Sequence, residues 1–144
     1  MSIKITFDDK KIRIMLKDFK DKADTARFSL LKIGFLVNHA IQDRVQNKGE
    51  GLNGSKLAKY SDKYGAYRKK KGRETSFRNL TFTGRMFLGL SARADGPNRV
   101  VLGFAGPEMK KAMGNDKRTP FFGLGTVEQK VIDTEIDKIL KGSK

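Results

Sequence analysis

The chain has 144 residues, with 31 Lys or Arg against 16 Asp or Glu, so its net charge is +15 at pH 7. It contains no cysteine, which excludes disulfides and thiolate metal sites. Its first residues lack the apolar core of a signal peptide, and no apolar run approaches the roughly 20 residues of a membrane span. We therefore expect one domain over residues 1–144, made in the cytoplasm, with an anionic partner rather than a membrane.

The N-terminal segment changes its hydrophobic period twice. Residues 2–7 alternate apolar and polar side chains, which predicts a half-buried strand. Asp8 and Asp9 then offer an N-cap to residues 12–19, where apolar side chains recur at helical spacing. This pattern predicts a short amphipathic helix.

A long amphipathic helix is predicted over residues 25–46. Its apolar stripe recurs at steps of three and four: Ala26, Leu30, Ile33, Val37, Ile41 and Val45. A second apolar set widens this stripe: Phe28, Leu31, Phe35 and Leu36. Asp21 or Asp24 caps the start of the helix, and Gly49 or Gly51 ends it. Because a small domain leaves little room around so apolar a helix, we expect its own chain or a neighbouring copy to cover both sides.

Residues 47–79 are predicted to form an extended basic arm or loop. The segment has few apolar residues and carries ten basic against three acidic side chains. A connection this long within a compact domain is usually functional or disordered. Tyr60, Tyr64 and Tyr67 fall at spacings of four and three, so residues 61–70 can form a helical turn or two, either in the free protein or on contact with a partner.

Ordered elements return at residue 80. Thr83 and Gly84 open a short helical turn, and two strand-like runs follow over residues 88–93 and 99–104. Between them, residues 95–98 read DGPN, which is strong turn chemistry and predicts a hairpin. We expect residues 106–119 to be a second polar, mobile connection.

The closing helix has a clear start signal. Thr126 with Gln129 three residues later forms a capping box, and Glu128 suits the first turn. Apolar residues from Val131 to Leu140 supply its buried face. The predicted fold is α+β, with the long helix and the C-terminal helix packed on a small antiparallel sheet.

The sequence offers little catalytic chemistry. His39, the single histidine, falls in mid-helix and suits a core or interface position better than a general base or metal ligand. Residues 49–56 resemble a phosphate loop only superficially, because the Gly-Lys-Ser/Thr order is absent and no strand directly precedes them. Residues 123–125 read GLG before a helix, where exposed N–H groups can bind an anion or glycines can simply let the chain turn. We expect no enzyme, no cofactor and no metal.

Basic residues interleaved with tyrosines can follow phosphates and stack on bases. The residues expected to face DNA or an acidic partner are Lys69, Lys70, Lys71, Arg73 and Arg78. No known nucleic-acid-binding module accompanies them, so contacts would go to the backbone without sequence reading. The alternative is a solvated basic loop.

Residues 118–125 read RTPFFGLG and are the most individual string. Pro120 favours an extended residue before it, and two consecutive phenylalanines point to opposite sides. One of Phe121 and Phe122 can then fill the core while the other faces outward as a protein anchor. The alternative places both under the helices.

This string completes an ordered set of motifs that resembles phage virion morphogenesis proteins, the Mu-like tail-completion group and its head–tail joining relatives. After the long helix and a Gly-rich link, the motifs occupy residues 57–61 with 68–72, 80–84, 100–103 and 118–124, followed by Glu128 and Ile132. The resemblance covers about residues 25–140. The chain departs from it in having no tryptophan after the Gly-rich link, and no aromatic or histidine in residues 106–117.

The resemblance implies a structural virion protein that assembles in the host cytoplasm into a ring, commonly a hexamer, at the phage neck. Its implied partners are itself, connector or adaptor proteins, tail terminator, tube or sheath proteins, and the genomic DNA passing through the ring. The side chains expected at subunit or connector contacts are Tyr60, Tyr64, Tyr67, Arg68, Phe121 and Phe122. The alternative function is a small DNA- or RNA-binding protein without sequence specificity.

Overall fold

The computed structural model describes residues 2–6, 22–96 and 98–142. In chain order the elements are β1 (Ser2–Thr6), α1 (Lys22–Gln42), a π-helical turn (Asp43–Asn47), α2 (Asp62–Lys70), α3 (Arg85–Leu88), β2 (Leu90–Ala94), β3 (Arg99–Phe104), α4 (Glu108–Arg118) and α5 (Thr126–Gly142). The predicted caps at Asp8, Asp9 and Asp21, the helix over residues 12–19, and Pro97 of the turn lie outside the described residues.

Three antiparallel strands form one sheet in the order β1-β3-β2. Thr6 of β1 lies opposite Arg99 of β3, and Ala94 of β2 lies opposite Val100. The predicted hairpin is confirmed, but its first strand begins at Leu90, because the residues just before it form α3. Together with the five helices of the described residues, this sheet confirms the α+β fold.

Helix α1 crosses the sheet and also contacts α5. The predicted stripe is confirmed where side chains are described, because these residues are at most 2% exposed: Leu30, Ile33, Val37, Ile41 and Val45. A Cβ added at Gly34 would lie 2.6 Å from Cγ1 of Val100, so this glycine lets the helix approach β3 closely. Asn38 also joins helix to sheet by donating to the carbonyl of Leu90 at 3.1 Å.

The second apolar set of α1 is only partly covered. Phe28 is 73% exposed and Phe35 is 54% exposed, whereas Leu31 and Leu36 are half-buried. The two exposed phenylalanines are seven residues apart, so they share one face of the helix. The outer face of α1 therefore presents two aromatic side chains to solvent.

The end of α1 leads into the π-helical turn and then a left-handed residue. Gly49 has a φ of +63°, and its N–H donates to the carbonyl of Val45 at 3.1 Å. The predicted stop at Gly49 is confirmed, since the left-handed region favours glycine. At the other end, the helix begins at Lys22, so Asp24 lies inside the first turn and is not the N-cap.

The expectation of a mobile connection over residues 106–119 is wrong, because α4 occupies most of it. Ala112 is fully buried and Met109 packs against the core, so this helix needs only a narrow apolar face. Glu108 in its first turn and Arg118 in its last turn complement the helix dipole. The polar composition of the segment concealed this arrangement.

The start of α5 also differs from the predicted capping box. Thr126 is the first helical residue, and Oε2 of Glu128 accepts the N–H of Gly125 at 2.9 Å. The side chain of Gln129 instead donates to Asp133 at 3.1 Å. Glu128 therefore supplies one of the two bonds of a capping box, to Gly125 at the N-cap, which has no side chain to supply the other.

Candidate functional site

Residues 47–79 form a loop built around α2. The hydroxyl of Ser61 accepts the N–H of Tyr64 at 3.4 Å and caps the helix. The rings of Tyr60 and Tyr64 meet edge-on with centroids 5.3 Å apart, and those of Tyr64 and Tyr67 stack at 6.2 Å. The predicted helical turns are present, and they place the three tyrosines in one row.

Arg68 fastens this loop to the rest of the chain. It is 1% exposed, and its guanidinium donates to the carbonyls of Glu74 and Thr81 at 3.0 and 2.8 Å and to Oδ1 of Asn79 at 3.2 Å. The guanidinium carbon also lies 4.3 Å from the centroid of the Tyr60 ring. A buried charge needs such partners, so Arg68 is occupied within its own chain.

The turn at residues 74–76, whose Glu74 carbonyl accepts a hydrogen bond from Arg68, is stabilised by the Glu74 carboxylate. Oε1 of Glu74 accepts from the hydroxyl and the N–H of Ser76, each at 2.6 Å, and from the N–H of Thr75 at 2.8 Å. The Ser76 hydrogen bonds, with smaller contributions from Thr75 and Arg68, lower the pKa of Glu74 from its ordinary value. The carboxylate thus stays ionised and holds the turn.

The outer part of the tyrosine row is open to solvent. Tyr64 is 40% exposed and Tyr67 is 48% exposed. The ring of Tyr67 stacks on Phe82 with centroids 5.8 Å apart and planes 7° from parallel. Lys71 lies 6.0 Å from the Tyr67 centroid and Arg73 lies 5.4 Å from that of Phe82, so cations border the stacked rings.

The five basic residues predicted to face DNA or an acidic partner divide into two groups. Four of them are exposed at and after the end of α2: Lys69, Lys70, Lys71 and Arg73. Arg78 is half-buried, and its Nη2 donates to Oδ1 of Asn115 on α4 at 3.1 Å. The first group is a surface patch, whereas Arg78 joins the loop to α4.

Phe121 and Phe122 both pack into the core. Phe121 is fully buried and meets the rings of Phe87 and Phe104 edge-on at 6.0 and 6.2 Å. Phe122 is half-buried, with its ring centroid 5.0 Å from that of Phe104. Oδ1 of Asp116 accepts the N–H groups of both phenylalanines at 2.9 Å. This is the alternative in which both side chains lie under the helices.

A buried ion pair behind Phe121 was not predicted. Nε of Arg44 donates to Oε1 of Glu128 at 2.8 Å, and the two side chains are 2% and 0% exposed. Arg44 also donates to the carbonyls of Phe121 at 3.0 Å and Glu50 at 3.2 Å. The pair therefore ties the π-helical turn, the RTPFFGLG string and α5 together.

A cleft of about 680 Å³ lies between α2, residues 78–84 and α4. Its basic lining residues are Lys59, Arg68, Arg78, Lys111 and Arg118, and its single acidic one is Glu108. Aromatic and apolar side chains complete the lining: Tyr60, Tyr64, Leu80, Phe82 and Met86. The cleft was not predicted, because its walls come from segments that lack a shared sequence pattern.

The other residues considered for catalysis or anion binding do not lie together in one site. His39 is exposed on α1 rather than buried in the core. A Cβ added at Gly123 would lie 2.8 Å from Cδ1 of Leu52, and one at Gly125 would meet the Leu52 carbonyl oxygen. These glycines thus permit a close turn, and the Gly125 N–H already donates to Glu128. Over the described ranges, no cluster of three or more potential metal ligands is present, and no helix is long and apolar enough to cross a membrane.

Comparison of the chain with protein-family models, with curated proteins and with solved structures finds no match.

Proposed function

We propose that this protein is a structural component of a phage neck, which completes the tail or joins head to tail as a ring around the DNA path. The ordered motifs that resemble the Mu-like group support this role. Segments that are distant in sequence also meet within the fold. Arg68, in the motif that includes residues 68–72, donates a hydrogen bond to the carbonyl of Thr81 in the motif at residues 80–84. Arg44 donates to the carbonyl of Phe121 and forms an ion pair with Glu128.

The exposed aromatic face of α1 is the observation that carries the proposal. Phe28 and Phe35 are more than half exposed on a chain of net charge +15. Burying such side chains against a neighbour removes apolar surface from water, which favours association. Copies can form a closed ring when this face of each one packs on a different surface of the next, and the resemblance implies six copies.

The basic patch at the end of α2 suits the same role. Lys69, Lys70, Lys71 and Arg73 are exposed together and can face genomic DNA in the ring or an acidic connector surface. Tyr64 and Tyr67 stand beside them as candidates for subunit or connector contacts. We place the protein in the virion, with connector or adaptor proteins and tail terminator, tube or sheath proteins as its neighbours.

The experiment is an in vitro joining assay. Heads purified from a phage lacking the protein are mixed with tails and added protein, and joined particles are counted by electron microscopy. We expect Phe28→Ser/Phe35→Ser to keep the parent's melting temperature and to abolish joining. Val127→Ser is the matched control, because it removes an exposed apolar side chain from α5 and should join normally. Failure of the unmodified protein to join heads to tails would refute the proposal.

A second candidate function is binding of DNA or RNA without sequence specificity. The exposed Tyr64 and Tyr67 rings, bordered by Lys71 and Arg73, favour it, because stacking surfaces with flanking cations suit nucleic acids. Duplex DNA bound more tightly than about micromolar, with affinity falling steeply as salt is raised, would support this function. Weak binding with a shallow salt dependence would exclude it.

A further inference from the structure

We infer that the cleft between α2, residues 78–84 and α4 binds a short acidic segment of a partner protein, with an apolar side chain between its carboxylates. The inference rests on the proposed function for the source of that segment, a neighbouring connector or tail protein. The residues of the cleft define the chemistry of the segment in three respects: charge, donor groups and apolar lining.

Charge is the first respect. Five basic side chains and one carboxylate line the cleft. Lys111 is paired with Glu108, with Nζ and Oε2 2.9 Å apart, and Arg68 is held by its own loop. Lys59 and Arg118 are exposed and form no ion pair within the described part of the chain. Since Lys59 precedes α2 and Arg118 ends α4, free positive charge stands on both walls, which complements a carboxylate-bearing ligand.

Arg78 supplies a further donor between these walls. Its Nη2 donates to Asn115, and its guanidinium carbon lies 5.8 Å from the centroid of the Tyr60 ring. Its Nε is buried and has no hydrogen-bond partner among the described residues. Buried polar groups are normally paired, so Arg78, one of the lining residues, retains one unused donor.

The apolar lining distinguishes a peptide from a nucleic-acid backbone. Leu80 and Phe82 are half-buried, and Met86 is 7% exposed. A phosphate backbone has no group to place against leucine and methionine, whereas an apolar side chain buries surface there. The combination of cations with an aliphatic and thioether lining therefore favours an acidic peptide.

Fluorescence polarisation can test this with the full chain. The probe is a short fluorescein-labelled peptide in which Asp and Glu flank a central Leu. Its comparators replace the acids by Asn and Gln, or Leu by Ser, and a labelled oligo-dT of equal charge represents nucleic acid. We expect micromolar binding of the acidic peptide, clearly weaker binding of the Leu→Ser form, and little binding of the neutral form.

The double variant Lys59→Gln/Arg118→Gln should weaken binding of the acidic peptide at least about tenfold while keeping the melting temperature of the parent. Lys130→Gln/Lys141→Gln is the matched control, because it removes two exposed charges from α5 outside the cleft and should change affinity less than about twofold. Equal losses in both variants would indicate non-specific attraction and overturn the inference. Tighter binding of oligo-dT that the cleft variant weakens would also overturn it.

The joining assay separates this inference from the proposed function. A cleft variant that loses the peptide and still joins heads to tails would refute the role of the cleft and leave the neck assignment intact. Unmodified protein that binds the peptide and fails to join would refute the neck assignment and leave the cleft chemistry in place.

Discussion

At the scale of single residues, charged side chains in the interior hold the fold together. Arg44 and Glu128 form a buried pair, and Arg68 is held by backbone carbonyls. The sequence predicted neither arrangement. Charged residues are expected at the surface, and the carboxylate partner of Arg44 is Glu128, 84 residues away and beyond any local periodicity. Glu128 itself was predicted only as a favourable first-turn charge.

The Arg44–Glu128 pair predicts a large stability effect. Glu128→Gln should lower the free energy of unfolding by about 3 kcal/mol or more, because it leaves the buried Arg44 without its counter-charge. Glu135→Gln is the matched control on α5. Its partners Lys32 and Lys138 are 59% and 67% exposed, so we expect a loss of about 1 kcal/mol or less. Urea denaturation measures both, and equal losses would contradict the assigned role of the pair.

Glu135 also predicts a pH dependence. Chiefly the hydrogen bond from Lys138, with a further one from Lys32, lowers the pKa of Glu135 below its ordinary value of 4.5. The ionised carboxylate therefore contributes its full stability at a pH above the ordinary pKa. This contribution disappears as the pH falls through the lowered pKa of the folded protein.

The stability difference between the parent and Glu135→Gln should therefore shrink between about pH 6 and about pH 3. Urea denaturation at each pH measures it. A difference independent of pH would contradict the prediction, and Lys138→Met should raise the titration midpoint of the Glu135 carboxyl observed by NMR.

At the scale of elements, the long periodic patterns predicted well, whereas the cap of α5 and the polar helix α4 were predicted wrongly. The stripe of α1 and the hairpin of β2 and β3 carry their period and turn chemistry in the sequence. The burial of the stripe and the pairing of the two strands are confirmed over the described residues. Helix α4 was missed because its buried face amounts to little more than Ala112 and Met109. Phe121 and Phe122 were ambiguous, because alternation along an extended string does not say which side the core lies on.

The end of α1 supplies a prediction at this scale. Gly49→Ala should destabilise the protein by more than about 2 kcal/mol, because φ is +63° and the new Cβ would meet the ring of Phe77. Gly72→Ala is the matched control, with a φ of +65° and no atom within 4 Å of the added Cβ. It should cost only the backbone strain of about 1–2 kcal/mol. Thermal unfolding measures both, and equal costs would show that the Phe77 contact has no effect.

At the scale of the whole molecule, composition predicted the character of the surface better than the location of the site. The basic residues at the end of α2 are exposed as expected, and Tyr64 and Tyr67 accompany them. Arg68, Arg78 and Phe121 instead serve the interior or the junction with α4. The cleft could not be predicted, because it depends on how three separate segments pack.

Charge leads to a prediction for the free protein. Copies that each carry +15 repel one another, so we expect a monomer or a loosely associated species at low salt in the absence of partners. In the neck role that we propose, docking on an acidic partner would supply the compensating contacts for the ring. Multi-angle light scattering at low and moderate salt measures the mass, and a stable ring at low salt without a partner would contradict the prediction.

The position of β1 in the sheet determines when the sheet can form during synthesis of the chain. The strand from Ser2 to Thr6 is synthesised before β3, with which it pairs, so it has no partner strand until the ribosome has passed Phe104. Contacts between such distant segments slow folding, because a long loop must close before the pairing is gained. The sheet order β1-β3-β2 therefore cannot be completed until late in the synthesis of the chain.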